Sequence, residues 1–179
     1  MVEIQFGDWA VLVSDGCLPI NYLELMAAAG LSDEFDVNAS DGRASFLCIW
    51  NKASRRADPV LAVSQRYEMT GSPAAALLVP QSNRVFIGAG ERLLCYDIAA
   101  PKRIWEDYAL EFWSWEQATD RVVMRGELEI VVWTTSGRKL WSVPSEPEWT
   151  HVIEGRTVVL NGDGARRVLG LDDGLPIYD

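Results

Sequence analysis

Aromatic and acidic side chains lie close together along one stretch of this 179-residue sequence, and their chemistry favours binding over catalysis. Between Ile104 and Asp120 there are five acids and no lysine or arginine. Six tryptophans fall within the 45 residues from Trp105 to Trp149. Aromatic residues within a charged rim are typical of protein-recognition surfaces. The stretch therefore predicts such a surface, although simple solvated loops would have the same composition.

We predict that this surface combines acids from two segments with one exposed tryptophan. Trp113 recurs 36 residues later as Trp149, whereas Trp115 is followed 36 residues later by His151. A tryptophan outside the recurring pattern is the one expected to be exposed. The predicted binding residues are Asp33, Glu34, Asp36, Glu106, Asp107, Glu111, Trp115 and Glu116.

Three other arrangements suggest chemistry, and each has a simpler explanation. The segment Asp36–Gly42 resembles a calcium loop but lacks glycine at the sixth position and glutamate at the twelfth, so an acidic turn is favoured. His151 has no adjacent cysteine or serine, which favours a structural or surface histidine. Glu127 and Glu129 share a strand face as a glycosidase pair would, but such acids are common on strand surfaces. We therefore predict no catalytic residue, metal site or cofactor.

The cysteines and the N-terminal segment predict a cytoplasmic protein. Cys48 and Cys95 lie in apolar segments, where buried, reduced thiols are expected, and no Cys-x-x-Cys spacing suggests zinc. The sequence starts without a basic leader and has no apolar run long enough to span a membrane.

The charge of the chain limits the class of partner. The formal net charge is −10, and residues 1–42 contain eight acids and no lysine or arginine. Nucleic acids and anionic membranes bind clustered cations, so both are disfavoured as partners. A basic protein is the partner that this charge favours.

A step of 36 residues organises the elements that position these side chains. Gly90, Gly126 and Gly162 are separated by this step, and so are Trp105 and Trp141. Repeats of this length are the signature of stacked supersecondary units. Each copy has alternating apolar segments separated by glycine-containing turns, which predicts a small antiparallel sheet.

The two clearest copies share a loose pattern of residues: an apolar strand, a turn with glycine, and a second apolar strand that ends in Tyr-Asp or Trp-Thr. A further turn follows, and then a basic residue before Ile-Trp or Leu-Trp. It occurs at Val85–Trp105 and Val122–Trp141. In this pattern the sequence resembles the repeats of quinoprotein-like (PQQ-type) and WD-type β-propellers over residues 75–179. The resemblance implies blade-like sheets and brings no cofactor ligands with it. Three copies are too few to close a ring, because closed propellers have four to eight blades.

The N-terminal part of the chain is not a clear copy of the repeat, and it predicts either a degenerate blade or a sheet that caps the first repeat. Val2–Phe6 and Trp9–Val13 alternate like a hairpin, and Phe46–Trp50 with Pro59–Val63 predict a second one. The periodicity of residues 19–29 predicts one helix. We therefore expect a mainly β fold, with an N-terminal capping module (1–74) followed by three propeller-like repeats in an open array (75–179), either as two units or as one continuous domain.

Two functions are consistent with the sequence. The first is a non-enzymatic protein-binding module, such as an acidic immunity or inhibitor protein that neutralises a basic protein toxin. The second is a small-molecule or carbohydrate-binding domain, with or without enzymatic activity. The outer edges of an open array need protection, and we expect the N-terminal module to cover one edge and either the C-terminal tail or a second copy of the chain to cover the other.

Overall fold

The computed structural model describes residues 2–36, 41–53, 58–68, 72–162 and 164–178, and this part of the chain is mainly β. The predicted boundary near residue 70 and most of the calcium-like segment lie outside the described residues. Four sheets follow one another along the chain. We name them the N-terminal sheet and the first, second and third repeat sheets.

The N-terminal sheet has five strands in the order β1-β2-β4-β5-β3. They are β1 (Val2–Phe6), β2 (Trp9–Asp15), β3 (Ser32–Phe35), β4 (Arg43–Asn51) and β5 (Leu61–Tyr67). Both predicted hairpins form, since β1 pairs with β2 and β4 pairs with β5, in each case antiparallel. Strand β3, which contains the predicted binding acids Asp33 and Glu34, runs parallel to β5.

One helix, α1 (Tyr22–Ala28), covers the outer face of this sheet. It is shorter than the predicted segment 19–29. Its buried Met26 packs against Phe46, Cys48 and Ala62 of the sheet. The opposite face of the sheet is free to pack against the first repeat sheet.

The repeat sheets match the predicted copies. The first contains β6 (Ala75–Val79), β7 (Arg84–Ala89), β8 (Arg92–Asp97) and β9 (Lys102–Tyr108), with a 3-10 turn at Pro80–Ser82. The second contains β10 (Phe112–Ala118), β11 (Arg121–Gly126), β12 (Glu129–Thr134) and β13 (Lys139–Pro144). The third contains β14 (Thr150–Glu154), β15 (Thr157–Gly162) and β16 (Ala165–Gly170). Within each, neighbouring strands are antiparallel.

The sheets stack because their strands are apolar on both faces. On β12, Val131 and Trp133 belong to the core shared with the first repeat sheet, and Ile130 and Val132 to the core shared with the third. This agrees with the predicted alternation along the strand. A further core joins the N-terminal sheet to the first repeat sheet. The result is a row of stacked sheets, the open array that the repeat predicts.

Trp105 and Trp141 occupy equivalent places in successive sheets, as predicted. Trp105 lies opposite Cys95 on β8, and Trp141 lies opposite Val132 on β12. Their equal spacing also predicts that both are buried, whereas the structure shows both rings half-buried. They lie on the outer strand of each sheet, where one side of the ring remains open to solvent.

Candidate functional site

Three of the predicted binding acids come together, but they are paired inside the protein. Arg92 contacts Asp36 at 2.9 Å and Glu106 at 3.1 Å, and Arg103 contacts Asp33 at 3.4 Å and Glu106 at 3.3 Å. These pairs join strand β3 of the N-terminal sheet to the first repeat sheet. We call this group of five residues and Phe35 the β3 seam.

Aromatic contacts complete the β3 seam. The guanidinium groups of Arg92 and Arg103 lie 4.6 and 5.3 Å from the ring centre of Phe35, within cation–π range. The hydroxyl of Tyr96 donates a hydrogen bond of 2.8 Å to Asp33. Burial raises the pKa of Tyr96, and the neighbouring Asp33 charge raises it further, so the phenol stays protonated. The seam thus fastens two sheets together rather than presenting free acids.

Charges in the β3 seam also shift the pKa of Glu106. Burial acts to raise this pKa, but hydrogen bonds from Tyr108 and Arg92 and the charges of Arg92 and Arg103 outweigh it. The pKa of Glu106 therefore lies below its usual 4.5. The carboxylate is stabilised as a structural anion, so reversing its charge would destabilise the fold, contrary to the sequence-based expectation that these acids are freely exposed.

The remaining predicted acids are dispersed. Asp107 pairs with Lys139 of the second repeat sheet at 2.8 Å. Glu116 lies 3.2 Å from Nε2 of His151, whose side chain is only 12% exposed, in agreement with a structural histidine. Glu34 is exposed on β3. Glu111 lies in a loop with positive φ (55°), at the end of the repeat sheets described below.

The prediction that Trp115 is an exposed anchor is wrong. Its half-buried ring packs against Phe86, Phe112 and Trp133, with ring centres 5.4–5.6 Å apart. The reason is a β-bulge between Phe112 and Ser114, which adds one residue to β10 and places Phe112 and Trp115 on the same face. Trp115 belongs to the core between the first and second repeat sheets.

A different surface gathers acids at one end of the repeat sheets. Backbone hydrogen bonds connect the loops there in a continuous series: Ala109 N–H to the Glu91 carbonyl (2.9 Å), Glu127 N–H to the Leu110 carbonyl (3.1 Å), and Ser145 N–H to the Leu128 carbonyl (2.9 Å). We call this surface the glutamate end. It comprises loop residues 90–91, 109–111, 127–128 and 145–149.

The glutamate end carries five glutamates and no lysine or arginine. They are Glu91, Glu111, Glu127, Glu146 and Glu148. In the part of the chain that the structure describes, none of the five forms an ion pair. Glu91, Glu146 and Glu148 are exposed. Unpaired like charges on neighbouring loops create a negative potential in front of this end.

Two arginines near the glutamate end lie on strands and contact the backbone or an aromatic ring rather than its carboxylates. Arg125 donates to the backbone carbonyls of Pro147 and Trp149 and lies 4.7 Å from the ring centre of Trp113; burial lowers its pKa. Arg167 lies over the ring of Trp149 at 4.6 Å. Both arginines thus hold loop 145–149 in place.

Two leucines are exposed among these glutamates. Leu110 is 49% exposed and Leu128 is 41% exposed. The Leu110 carbonyl accepts the hydrogen bond from Glu127, the residue before Leu128, so the two backbones are adjacent. Apolar side chains surrounded by charge are the usual composition of a protein contact.

Three acids at the opposite end of the repeat sheets, Asp97, Asp120 and Asp172, are paired with arginines. Asp97 contacts Arg84 at 2.7 Å, and Asp172 pairs with both Arg121 and Arg156. These bonds hold the carboxylates in place and neutralise them. Glu154 and Asp173 form no ion pair among the described residues, so the opposite end has two unpaired acids and the glutamate end has five.

Sequence reasoning missed the glutamate end, although the repeat contained a signal for it. The dipeptide Gly90-Glu91 recurs 36 residues later as Gly126-Glu127. Since equivalent turns of stacked sheets lie at the same end, the two glutamates had to be neighbours. Only Glu111 belongs both to the predicted set and to this surface.

Buried cysteines and the other described residues suggest no reactive centre. Cys48 and Cys95 are free and buried, as predicted, and burial raises the pKa of each to about 12. Cys17 is free and exposed. Among the described residues, no group of three or more His, Cys, Asp or Glu side chains could hold a metal ion. No helix in this part of the chain has the length and apolarity needed to cross a membrane.

One cleft adjoins the glutamate end. It has a volume of about 730 Å³ and lies between the N-terminal sheet and the β7–β8 turn. Its lining includes Arg66, Tyr67, Glu91, Arg92 and Tyr108. The mixture of aromatic, acidic and basic groups would suit a small polar ligand.

Comparisons with solved structures support the fold. The β-propeller domain of the trilobed protease from Pyrococcus furiosus, described as having an open velcro topology, matches with a TM-score of 0.53 and 10% identity over 98% of this chain and 55% of that one. BamB from Moraxella catarrhalis matches with a TM-score of 0.49 and 15% identity over 74% of this chain and 42% of that one. Hsv2 from Kluyveromyces lactis matches with a TM-score of 0.34 and 10% identity over 55% of this chain and 33% of that one.

The first of these matches covers almost the whole chain, and it shows the fold alone because the identity is low. This chain has a propeller-repeat fold. It spans 33–55% of the length of these three solved chains. No protein-family model matches the sequence, and no curated protein sequence matches it.

Proposed function

We propose that this chain is a non-enzymatic protein-binding module whose glutamate end engages a basic protein. The observation that carries the proposal is the concentration of unpaired glutamates around the exposed Leu110 and Leu128. Such a surface attracts a cationic partner over a Debye length of roughly 8–10 Å at physiological salt. Contacts to the two leucines then add apolar burial at the centre of the interface.

The specific form that we favour is an inhibitor or immunity protein that neutralises a basic protein toxin in the cytoplasm. A net charge of −10 accelerates association with a cationic target. Inhibition by occlusion needs no catalytic group. A rigid stack of sheets with a preformed surface also limits the conformational entropy lost on binding.

The proposed surface differs from the one that the sequence suggested. Asp33, Asp36 and Glu106 share Arg92 and Arg103 within the β3 seam, which offsets two of their three negative charges. Glu91 and Glu127 are unpaired among the described residues and lie on neighbouring turns. They are the charges whose reversal has the greatest effect on association.

A matched pair of variants tests this proposal. Glu91→Lys with Glu127→Lys changes the glutamate end, and Glu24→Lys with Glu154→Lys makes the same change in net charge at exposed positions on α1 and β14. Each protein is immobilised and exposed to extract from the source cells, and retained proteins are quantified by mass spectrometry. We expect a basic protein that wild type and the control variant retain and that the glutamate-end variant loses.

Kinetics with that purified partner complete the test. Its association rate should fall steeply as salt rises for wild type and the control, and only weakly for the glutamate-end variant. Equal retention by both variants would reject the glutamate end as the binding surface. Recovery of no basic partner would reject the wider proposal.

A second candidate function rests on the cleft of about 730 Å³. In this alternative the chain binds a small polar molecule or carbohydrate through Tyr108, whose side chain is 58% exposed. Screening wild type and Tyr108→Ala against a carbohydrate and metabolite library by ligand-observed NMR distinguishes the two. Binding that is lost in Tyr108→Ala but kept in the glutamate-end variant would favour the cleft.

A further inference from the structure

Strand β1 (Val2–Phe6) is an exposed edge of the N-terminal sheet. It pairs with β2 on one side and stands at the end of the strand order β1-β2-β4-β5-β3. Each of its five residues is exposed. Val2, Ile4 and Phe6 alternate along it and are 58%, 46% and 53% exposed. A free edge with an apolar face is a template for pairing with another strand.

The apolar side of β1 continues a buried surface. Ile4 lies opposite Val11 on β2, and Phe6 lies opposite Trp9. Val11 and Trp9 are buried in the core between the N-terminal sheet and the first repeat sheet. Residues opposite one another in a pair point to the same face. The side chains of Val2, Ile4 and Phe6 thus extend this core face, and no described element covers them.

Two other edges of this molecule, β9 and β13, carry protection that β1 lacks. Strand β9 contains Lys102 and Arg103 and is interrupted by a bulge, and β13 contains Lys139, a bulge and Pro144. Lysine, proline and bulges are the usual devices that prevent edge pairing. The sequence of β1, Val-Glu-Ile-Gln-Phe, has neither lysine nor proline, and its register with β2 is regular.

The turn after β1 determines which backbone groups are free. Phe6 and Trp9 close a two-residue turn in which Gly7 has a φ of 55°, as a type II′ hairpin requires. In such a hairpin the backbones of Phe6, Ile4 and Val2 bond to β2, and those of Glu3 and Gln5 point outward. The free donors and acceptors of β1 are therefore those of Glu3 and Gln5.

We propose that β1 pairs with β1 of a second copy of this chain in an antiparallel, two-fold symmetric dimer. A two-fold axis at Ile4 places Ile4 opposite itself, Val2 opposite Phe6, and Glu3 opposite Gln5. Apolar residues then meet apolar residues, and each Glu3 meets an uncharged amide. The outward backbones of Glu3 and Gln5 form the new ladder, which joins two five-stranded sheets into one of ten strands.

The residue pattern of β1 is complementary to itself, which favours a second copy of this chain as the strand that pairs with β1. The segment reads apolar-polar-apolar-polar-apolar, which is symmetric about Ile4 and brings no like charges into opposition in this register. Five-residue strands form a small interface of the weak class, so the dimer is expected at concentrations of roughly 10–100 μM. The proposal does not depend on the glutamate end.

Analytical ultracentrifugation of the full chain with two variants at one position tests the register. Gln5→Lys puts a lysine opposite Glu3 in both symmetric pairs, and Gln5→Glu puts a glutamate there. We expect Gln5→Lys to tighten the dimer roughly five- to tenfold and Gln5→Glu to weaken it by a similar factor. Both effects should shrink at 1 M salt, and the glutamate-end variant should dimerise like wild type.

Hydrogen exchange by NMR gives a residue-specific check. Raising the protein concentration should protect the amides of Glu3 and Gln5, while those of Ile4 and Phe6, already bonded to β2, should change little. A chain that stays monomeric at 1 mM, assembles beyond two copies, or shows the same dimer affinity in Gln5→Lys and Gln5→Glu would overturn the proposal.

Discussion

The indole nitrogen of Trp105 donates a hydrogen bond to the carbonyl of Gly137, 2.6 Å away in the neighbouring sheet. Trp141 repeats this contact 36 residues later, donating to the carbonyl of Leu171 at 3.0 Å, and its ring also lies against Gly174. Gly137 and Gly174 are separated by 37 residues and both have positive φ. Each outer-strand tryptophan therefore fastens its sheet to a turn of the next one.

The contact between Trp141 and Gly174 predicts an unusually costly glycine substitution. Gly174→Ala would place Cβ 2.7 Å from the Trp141 ring, in addition to the strain of an alanine at a φ of 68°. Gly155→Ala is the matched control, because Gly155 has a φ of 62° and open space around its Cβ. We expect urea unfolding to show a loss of about 1 kcal/mol for the control and about 2–4 kcal/mol for Gly174→Ala. Equal losses would mean that Trp141 moves aside without cost.

Trp105 and Trp115 lie in the same core, so comparing them separates the contribution of an indole hydrogen bond to stability from that of packing. Nε1 of Trp105 is bonded, whereas the buried Nε1 of Trp115 has no hydrogen-bond partner within the described residues. Trp105→Phe leaves the Gly137 carbonyl without its donor, and Trp115→Phe removes an unpaired donor. We expect Trp105→Phe to lose about 1–2 kcal/mol more unfolding free energy than Trp115→Phe, measured in urea. A larger loss from Trp115→Phe would indicate that its nitrogen has a partner after all.

The sequence predicted the fold of the repeats because their signal is local. A 36-residue step and alternation within each strand are enough to specify stacked sheets and equivalent tryptophans. The β3 seam was missed because its inward residue is Asp33, a charge where the pattern expects an apolar side chain. Its partners Tyr96 and Arg103 lie more than 60 residues away in sequence. For Trp115, the break in the 36-residue recurrence predicted exposure, whereas a single bulge turns its side chain into the core.

Acid should weaken the β3 seam. The pKa of Glu106 is lowered from its usual 4.5, so the unfolded chain binds more protons than the folded chain as the pH falls below that value. The contribution of Glu106 to stability is therefore complete above about pH 5 and is lost as the pH falls through its folded-state pKa. We expect Glu106→Gln to flatten the fall in urea midpoint between pH 5 and about pH 3.

Glu154→Gln provides the comparison for this acid titration. Glu154 is exposed, and its side chain forms no ion pair in the described ranges. Its substitution should leave the pH dependence like that of wild type. If both glutamine variants follow the wild-type curve, Glu106 is not held as a structural anion and the β3 seam has a smaller effect than its geometry implies.

Replacing an exposed leucine of the glutamate end should weaken partner binding without lowering the stability of the fold. Leu128→Ser removes an apolar side chain that is already 41% exposed, so its unfolding free energy should change by less than about 1 kcal/mol. Leu23→Ser is the matched control on α1, where the side chain is 63% exposed.

If Leu128 is central to the interface with the basic partner, its replacement should raise the dissociation rate roughly tenfold or more. The association rate should be nearly unchanged, because short-range contacts act after electrostatic encounter. Surface plasmon resonance with the purified partner measures both rates. Identical kinetics for the two serine variants would show that the glutamates act without an apolar centre, and that the leucines of this end lie outside the interface.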